Sequence, residues 1–441
     1  MRALCASTCA CCLLLAALSS QVFGPGAAGA RAPGGATDVV APHVSAAGFA
    51  AHGDLAFISE GALWVLDGSN GKLTLVATSQ QLPRHLEFSP NGKWLVYTTG
   101  AGRVWLARAD GSGARQIAAN GWGGWLPDGE LLAGRSVWQV GAGGRLGLAG
   151  TVPPGLVAWS PDGDGYAFIS SSLVISFTKP GSGVERLLLA SGLGAQHTTW
   201  YEAPVSFSEQ TGAEGNFIDR AYVLPGARGA LFTVDPDMSA SLAADGVNLY
   251  ELTAPGASPL NLGVTVGQAV AIGPGGEFAF TNGPDRYEWL TKSVTVCMPG
   301  EEPCTPVPAS PGMLSYDPAW SPNGRELAFV EAPVGEAVNF SQGTVAAWYA
   351  EHSLWVMQTA NRTVAEVEGA NGASAPVWSA DGKSIMYVAG DGLWLVTAPS
   401  PGGQAKPVLV AAPLFQPGDW PNYYAQVAWS SQFAWSQATA G

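Results

Sequence analysis

The chain has 441 residues, 47% hydrophobic, 10% aromatic and only 12% charged, with 58 glycines and 32 prolines. That mix is too apolar for a disordered chain and too rich in helix-breaking residues for a helical one. The formal charge is −14, from 20 basic and 34 acidic residues without a basic stripe, which excludes a nucleic-acid footprint because neutralising phosphates needs clustered Lys and Arg.

Residues 1–30 read as a secretory signal. Arg2 supplies the positive start, Ala3 to Leu18 an uncharged apolar run, and Ala28-Gly29-Ala30 a small-x-small cleavage site. The alternative, an uncleaved anchor, has an apolar run short of the ~20 residues that cross a bilayer. The mature chain is therefore expected in the periplasm, the cell envelope or the medium, with residues 31–44 as a lead-in. Four cysteines, Cys5, Cys9, Cys11 and Cys12, lie within the leader. The remaining pair, Cys297 and Cys304, spans a Pro-Gly turn, and in an oxidising compartment it is expected to close a hairpin disulfide.

From about residue 45 the sequence repeats. The clearest copies are Phe88-Ser-Pro-Asn-Gly92, Trp159-Ser-Pro-Asp-Gly163, Trp320-Ser-Pro-Asn-Gly324 and Trp378-Ser-Ala-Asp-Gly382, each followed by an apolar strand such as Leu327-Ala-Phe-Val330. Weaker copies start at Phe49, Trp125, Val223 and Ile272, and a truncated ninth at Trp429 precedes Phe433-Ala-Trp435. Each copy is a strand, a tight turn set by Asn/Asp-Gly, and a second strand. Third strands recur at Leu63, Val104, Val137, Leu249, Leu354 and Leu393, and fourth strands at Leu73, Arg115, Arg186 and Pro407.

Four strands per repeat, spaced about 47 residues between Phe49 and Trp378, predict one blade of a β-propeller each. The fold class is thus all-β, a single propeller over residues 45–436 with a tail at 437–441. Eight blades are expected, with seven as the alternative, and the copy at Trp429 is expected to pair with the N-terminal blade and close the ring. These Trp-Ser-Pro-Asp-Gly turns with their Leu-Ala-Phe strands resemble the WD40-like (PD40) repeats of TolB-type propellers. Similar repeats occur in the propeller halves of prolyl oligopeptidase and dipeptidyl peptidase enzymes, so the resemblance implies a fold and leaves function open.

The chemistry of those peptidases is absent from the sequence. No Gly-x-Ser-x-Gly elbow is present, the five histidines are scattered singly, and no glycine-rich loop opens a helix. No cofactor or metal is expected. Asp162-Gly-Asp164 and Asp235-Pro-Asp237 begin like calcium loops but lack the acidic twelfth position, and read as turns.

By strand order, four long insertions belong to one end of the ring: Ser191 to Asp219, Asn282 to Thr291, Ala332 to His352 and Ala412 to Ala425. Tryptophans in first and third strands are assigned to the core. Trp122, Trp200, Trp289, Trp348 and Trp420 fall in connections on the insertion end. The expected working surface therefore has Trp200, Tyr201, Trp289, Trp348, Tyr349, Trp420 and Tyr423 as anchors, with Asp285, Arg286 and Glu288 as polar partners. Mutual packing of the same aromatics into a cap is the competing expectation.

The leading functional reading is a secreted, monomeric binding or scaffold module for an extracytoplasmic protein, peptide or glycan. The alternative is a hydrolase or lyase using loop carboxylates at the channel mouth. Acids converging on one place would favour the enzyme.

Overall fold

The structure, a computed structural model, describes residues 39–153, 157–163, 165–173, 180–239, 245–285, 287–301, 303–335, 342–399, 406–414 and 429–436. The leader, Arg286, Trp420, Tyr423 and the tail lie outside the described residues. Strands dominate, and one α-helix, Gln342–Ala350, is found among the described residues.

Antiparallel four-stranded sheets follow one another along the chain. One is built from Pro83–Phe88, Trp94–Thr99, Val104–Arg108 and Arg115–Ala118, and the next from Gly123–Trp125, Leu131–Ala133, Ser136–Val140 and Leu146–Thr151. An eleven-stranded ladder then runs from Val157–Trp159 to Thr305–Pro306. Within it the thirteen-residue strand Leu260–Ile272 ends one group of strands and begins the following one. After a four-stranded sheet beginning at Met313–Trp320, the sheet beginning at Ala373–Trp378 gains His43–Val44 as a fifth, outermost strand.

The N-terminal repeat lacks a first strand of its own. Phe49 to Gly53 form turns, and the innermost place beside Asp54–Ser59 is taken by Phe433–Trp435, in the register Phe57↔Phe433. Following the turn at Trp429, Phe433-Ala-Trp435 reads in the sequence as a second strand. It serves as a first strand instead, because the open edge of Asp54–Ser59 offers unpaired backbone groups that only another strand satisfies.

Second strands are buried on both sides, as Leu55–Ser59 and Leu95–Thr99 show, whereas fourth strands such as Arg115–Ala118 are exposed or half-buried. Sandwiching between neighbours explains the first observation and the outer rim the second. Apolar clusters join consecutive sheets. Trp64 and Leu66 pack with Met386 and Leu395 across the chain's two ends, Ile58 and Leu63 with Leu86 and Tyr97, and Val96 and Val104 with Trp125 and Leu131.

The repeated turn has a specific chemistry. The buried Ser321 hydroxyl donates to Asn323 Oδ1 (2.9 Å) and accepts from Glu326 N–H (2.9 Å), while Gly324 N–H donates to the Ser321 carbonyl (2.9 Å). Gly324 sits at φ 68°, a conformation that costs a residue with a Cβ free energy. Ser89 and Ser379 repeat these bonds.

The motif tryptophan links neighbouring sheets. Trp125, Trp320 and Trp378 donate their indole N–H to the carbonyls of Glu87, Ala271 and Ala319, at 3.1, 3.2 and 3.0 Å. Each acceptor directly precedes the motif of the preceding repeat. Third-strand Trp105, Trp138, Trp355 and Trp394, like first-strand Trp159 and Trp320, are half-buried and pack against the apolar clusters.

Cys297 and Cys304 are bonded, with Cα atoms 4.6 Å apart, across the hairpin between Ser293–Cys297 and Thr305–Pro306.

Candidate functional site

In a four-stranded antiparallel sheet the connection between strands two and three leaves from the same end as the passage to the next sheet. The loop 283–292, between Phe278–Asn282 and Ser293–Cys297, and the segment 334–352, between Glu326–Pro333 and Ser353–Gln358, are both such connections in adjacent groups of strands. They interlock. Trp289 and Trp348 meet edge to face with ring centroids 6.0 Å apart, and Gly335 N–H donates to the Trp289 carbonyl (2.9 Å). The Trp348 indole donates to Pro333 O (2.9 Å), and its ring stacks on Tyr316 (5.9 Å). Leu314, Val330, Ala332 and Val345 complete this cluster, so α1 (Gln342–Ala350) is held by its tryptophan and valine.

The loop 283–292 is organised from within. Lys292, 4% exposed, turns its ammonium to the carbonyls of Pro284 (3.0 Å), Asp285 (2.9 Å), Tyr287 (3.2 Å) and Leu290 (2.9 Å). A charge taken from water needs such partners. Asp285 caps the same loop, its Oδ1 accepting from Tyr287 N–H (3.0 Å) at a left-handed φ of 90°.

Beneath the insertions lies a cluster of ionisable groups. The first strand Met313–Trp320 is bulged after Tyr316, and Asp317 takes φ 53°. Equivalent bulges place His85 at φ 51° and Ala375 at φ 49°. A bulge re-aims a side chain, and the Asp317 carboxylate accepts from Ala375 N–H in the neighbouring sheet (2.9 Å). Burial pushes Asp317 up to about 6, against the pull of that bond. Glu288 lies well above the usual carboxylate range, first from burial and then from the nearby Asp317 charge, with Lys292 opposing.

His352 is 1% exposed, and burial pushes it down to about 3, so the ring is neutral. Its Nδ1 lies 3.2 Å from Ala373 O, and the Tyr316 hydroxyl contacts both ring nitrogens, Nδ1 more closely and Nε2 at 3.0 Å. Burial likewise raises the phenols of Tyr316 and Tyr349. Burial thus raises both carboxyls of the cluster, Asp317 and Glu288.

The expected anchors divide into separate sets. Trp289, Trp348, Tyr349, Asp285 and Glu288 come together. Trp200 and Tyr201 do not join them, because the stretch expected as the insertion Ser191 to Asp219 is largely two strands, Thr198–Ser208 and Gly212–Val223. Leu187 pairs with Tyr201, so Arg186 to Leu189 belong to a third strand, Gly181–Ala190, and not to a fourth. The two strands are longer than a repeat requires, which is why the sequence reads there as an insertion. Trp200 is 8% exposed within an apolar cluster, and Tyr201 packs on Phe232 at 4.7 Å.

The aromatics that meet here are buried against one another, as a cap would have them. Trp122 stands out by contrast at 48% exposure. Sequence reasoning placed it on the insertion end but not among the anchors, and it missed Asp317, Tyr316, His352 and Lys292, whose proximity depends on the bulge and on how 342–352 pack over it.

A cleft of about 520 Å³ beside the disulfide hairpin is lined by Asn261, Leu262, Asn282, Thr295, Pro303, Cys304 and Pro306, none of them expected anchors. Among the described residues no group of three or more His, Cys, Asp or Glu side chains is placed to hold a metal, and no helix is long and apolar enough to cross a membrane.

No family model matches the chain, and no curated protein matches it. Among solved structures it is similar to an oligogalacturonate lyase from Vibrio parahaemolyticus, at 11% identity over 82% of this chain and 87% of that one, with a TM-score of 0.39. It is also similar to a putative TolB from Agrobacterium tumefaciens, at 11% identity over 82% of this chain and 90% of that one, with a TM-score of 0.34. A prolyl endopeptidase matches at 12% identity over 84% of this chain but 52% of its own, with a TM-score of 0.41. Likenesses of this depth say nothing of activity. The chain is a mostly β protein of antiparallel, largely four-stranded sheets with propeller proteins among its structural neighbours.

Proposed function

We propose that the chain is an exported propeller of eight blades that works as a monomeric binding or scaffold module, engaging an extracytoplasmic protein, peptide or glycan at its insertion end. The observation that carries this reading is the asymmetry of the two ends. One end repeats the same short Ser-Pro-Asp/Asn-Gly turn, whereas the other carries an interlocked superstructure with its own apolar cluster. Loops held rigid on a scaffold are where binding residues concentrate.

The eight-blade count is supported by the apolar clusters, which link each group of four strands to the next and finally the last to the first. Trp289, Trp348 and Trp200 serve here as framework, and Asp285, Arg286, Glu288, Tyr349, Trp420 and Tyr423 remain the candidates for contact. The leader over residues 1–30 supports export.

A steric test separates the ends. Single cysteines introduced as Ala101→Cys or Gln210→Cys on the insertion end, or Lys93→Cys on the turn end, are capped with a bulky polyethylene glycol maleimide. Capture of envelope proteins should fall for the first two and survive for the third. The reverse pattern would overturn the reading.

A second reading, a hydrolase or lyase, is favoured by the juxtaposition of two raised carboxyls, Glu288 and Asp317, since general acid and base catalysis uses carboxyls tuned upward by burial. Glu288→Gln should then abolish turnover of a substrate that the protein still binds.

A further inference from the structure

The insertion end is low and glycine-lined over the two sheets at residues 83–118 and 123–151. Trp122 lies there with one ring face on Gly124, where a Cβ would come within 2.2 Å of the indole, so only glycine permits the pose. The indole is nonetheless 48% exposed, which leaves a one-sided aromatic platform. Leu82, 53% exposed at a left-handed φ of 49°, rests on Gly100, and the Arg84 guanidinium lies 3.2 Å from where a Cβ on Gly100 would stand. Gly102 abuts Gly121, and Gly121 abuts Gly134, whose N–H donates to the Trp122 carbonyl (2.8 Å). Leu82, Arg84, the loop 100–103, Trp122 and Arg135 therefore form one continuous arc.

The arc is basic in an acidic protein. Arg103 and Arg135 are exposed, and Arg84 and Arg103 make no ion pair among the described residues. Arg135 donates through Nε to Val152 O (3.2 Å). The neighbouring acid, Glu87, is turned inward to Trp125 N–H (3.1 Å). By contrast, the hairpin of Thr198–Ser208 and Gly212–Val223 carries the exposed acids Glu209 and Glu214, with Glu202 paired to Arg186 (3.1 Å). An acidic partner is repelled there and drawn to the arc.

We infer that this arc docks an acidic peptide segment bearing an apolar side chain, its carboxylates meeting Arg84, Arg103 and Arg135 and its apolar group covering Trp122 and Leu82. Tryptophan and arginine are the residues that dominate peptide and protein interfaces when they are desolvated together. The exposed leucine sets an apolar requirement that a saccharide would not meet. The inference rests on the insertion-end reading above but moves the contact surface from the residues named there to Leu82, Arg84, Arg103, Trp122 and Arg135, and adds a partner chemistry.

The test is fluorescence anisotropy of a labelled peptide of alternating Glu and Leu, against its Gln-Leu counterpart, with polyglucuronate as competitor. The acidic peptide should bind at least about tenfold tighter than the Gln-Leu peptide and weaken as salt rises. Trp122→Ala and Arg103→Glu should each weaken it by about tenfold or more with thermal unfolding unchanged, and Arg103→Lys should keep part of the affinity. Equal binding of the two peptides, tighter binding of polyglucuronate, or no binding would overturn the proposal. Binding that survives both variants but is blocked by a polyethylene glycol cap at Gln210→Cys would overturn this address and leave the insertion-end reading standing.

Discussion

Replacing Trp348 by alanine tests whether the insertions form a packed cap. The side chain is 8% exposed and meets Trp289 (6.0 Å), Tyr316 (5.9 Å), Tyr349 (5.3 Å) and His352 (4.2 Å) while bonding Pro333 O. Burial and cavity together make such a change cost about 3 to 5 kcal/mol, of which the hydrogen bond accounts for about 1. α1 has nine residues, too few to persist alone in water, so the loss should appear as local release of 334–352 before the sheets unfold. Hydrogen exchange and limited proteolysis should show faster exchange and new cleavage within 334–352, with circular dichroism of the sheets retained. Trp348→Phe, which keeps a ring but loses the N–H, should lose far less. Unchanged protection of 334–352 in Trp348→Ala would refute the interlock.

Because Asp317 and Glu288 are both raised in the folded state, folding takes up protons that the unfolded chain has released, and stability should fall as pH rises from the ordinary carboxylate range through about 6 and beyond. Urea midpoints should therefore drop between about pH 5 and about pH 8, and Glu288→Gln should flatten that slope; a wild-type stability that rises over this window contradicts the cluster. Phe433→Asp, placed in the strand that completes the first sheet, should destabilise the whole protein by about 3 kcal/mol or more, measured by thermal unfolding; a purely local effect would mean that the closing strand is dispensable. The double variant Cys297→Ser/Cys304→Ser, which opens a loop with a sequence separation of 7, should lose about 2 to 3 kcal/mol, and a neutral result in denaturant titration would show that the hairpin holds without its bond.

The repeat carried most of the fold. Ser-Pro-Asn/Asp-Gly specifies its own turn locally, since the serine hydroxyl, the Asn or Asp side chain and the glycine's left-handed φ all act within a few residues. The bonded cysteines were legible for the same reason, being seven residues apart across a Pro-Gly turn. Where a local pattern was ambiguous, reading failed. Thr198–Ser208 and Gly212–Val223 alternate as strands yet are longer than the repeat requires, so they passed for an insertion.

The sequence by itself determined the repeated turns and most of the strands, because these follow from period-two patterning and turn chemistry, but not the long strands Thr198–Ser208 and Gly212–Val223 or the place of Phe433–Trp435. Tertiary structure alone decided which tryptophans face water. Trp122 lies open over Gly124 while Trp289 and Trp348 vanish into each other, and no composition or spacing distinguishes the three. It also decided that Asp317, Glu288 and His352, far apart in the chain, share one buried environment, since their meeting depends on a bulge in one strand and on how two connections fold over it. Burial and electrostatic coupling act through space, and a linear pattern records only what lies within a few residues.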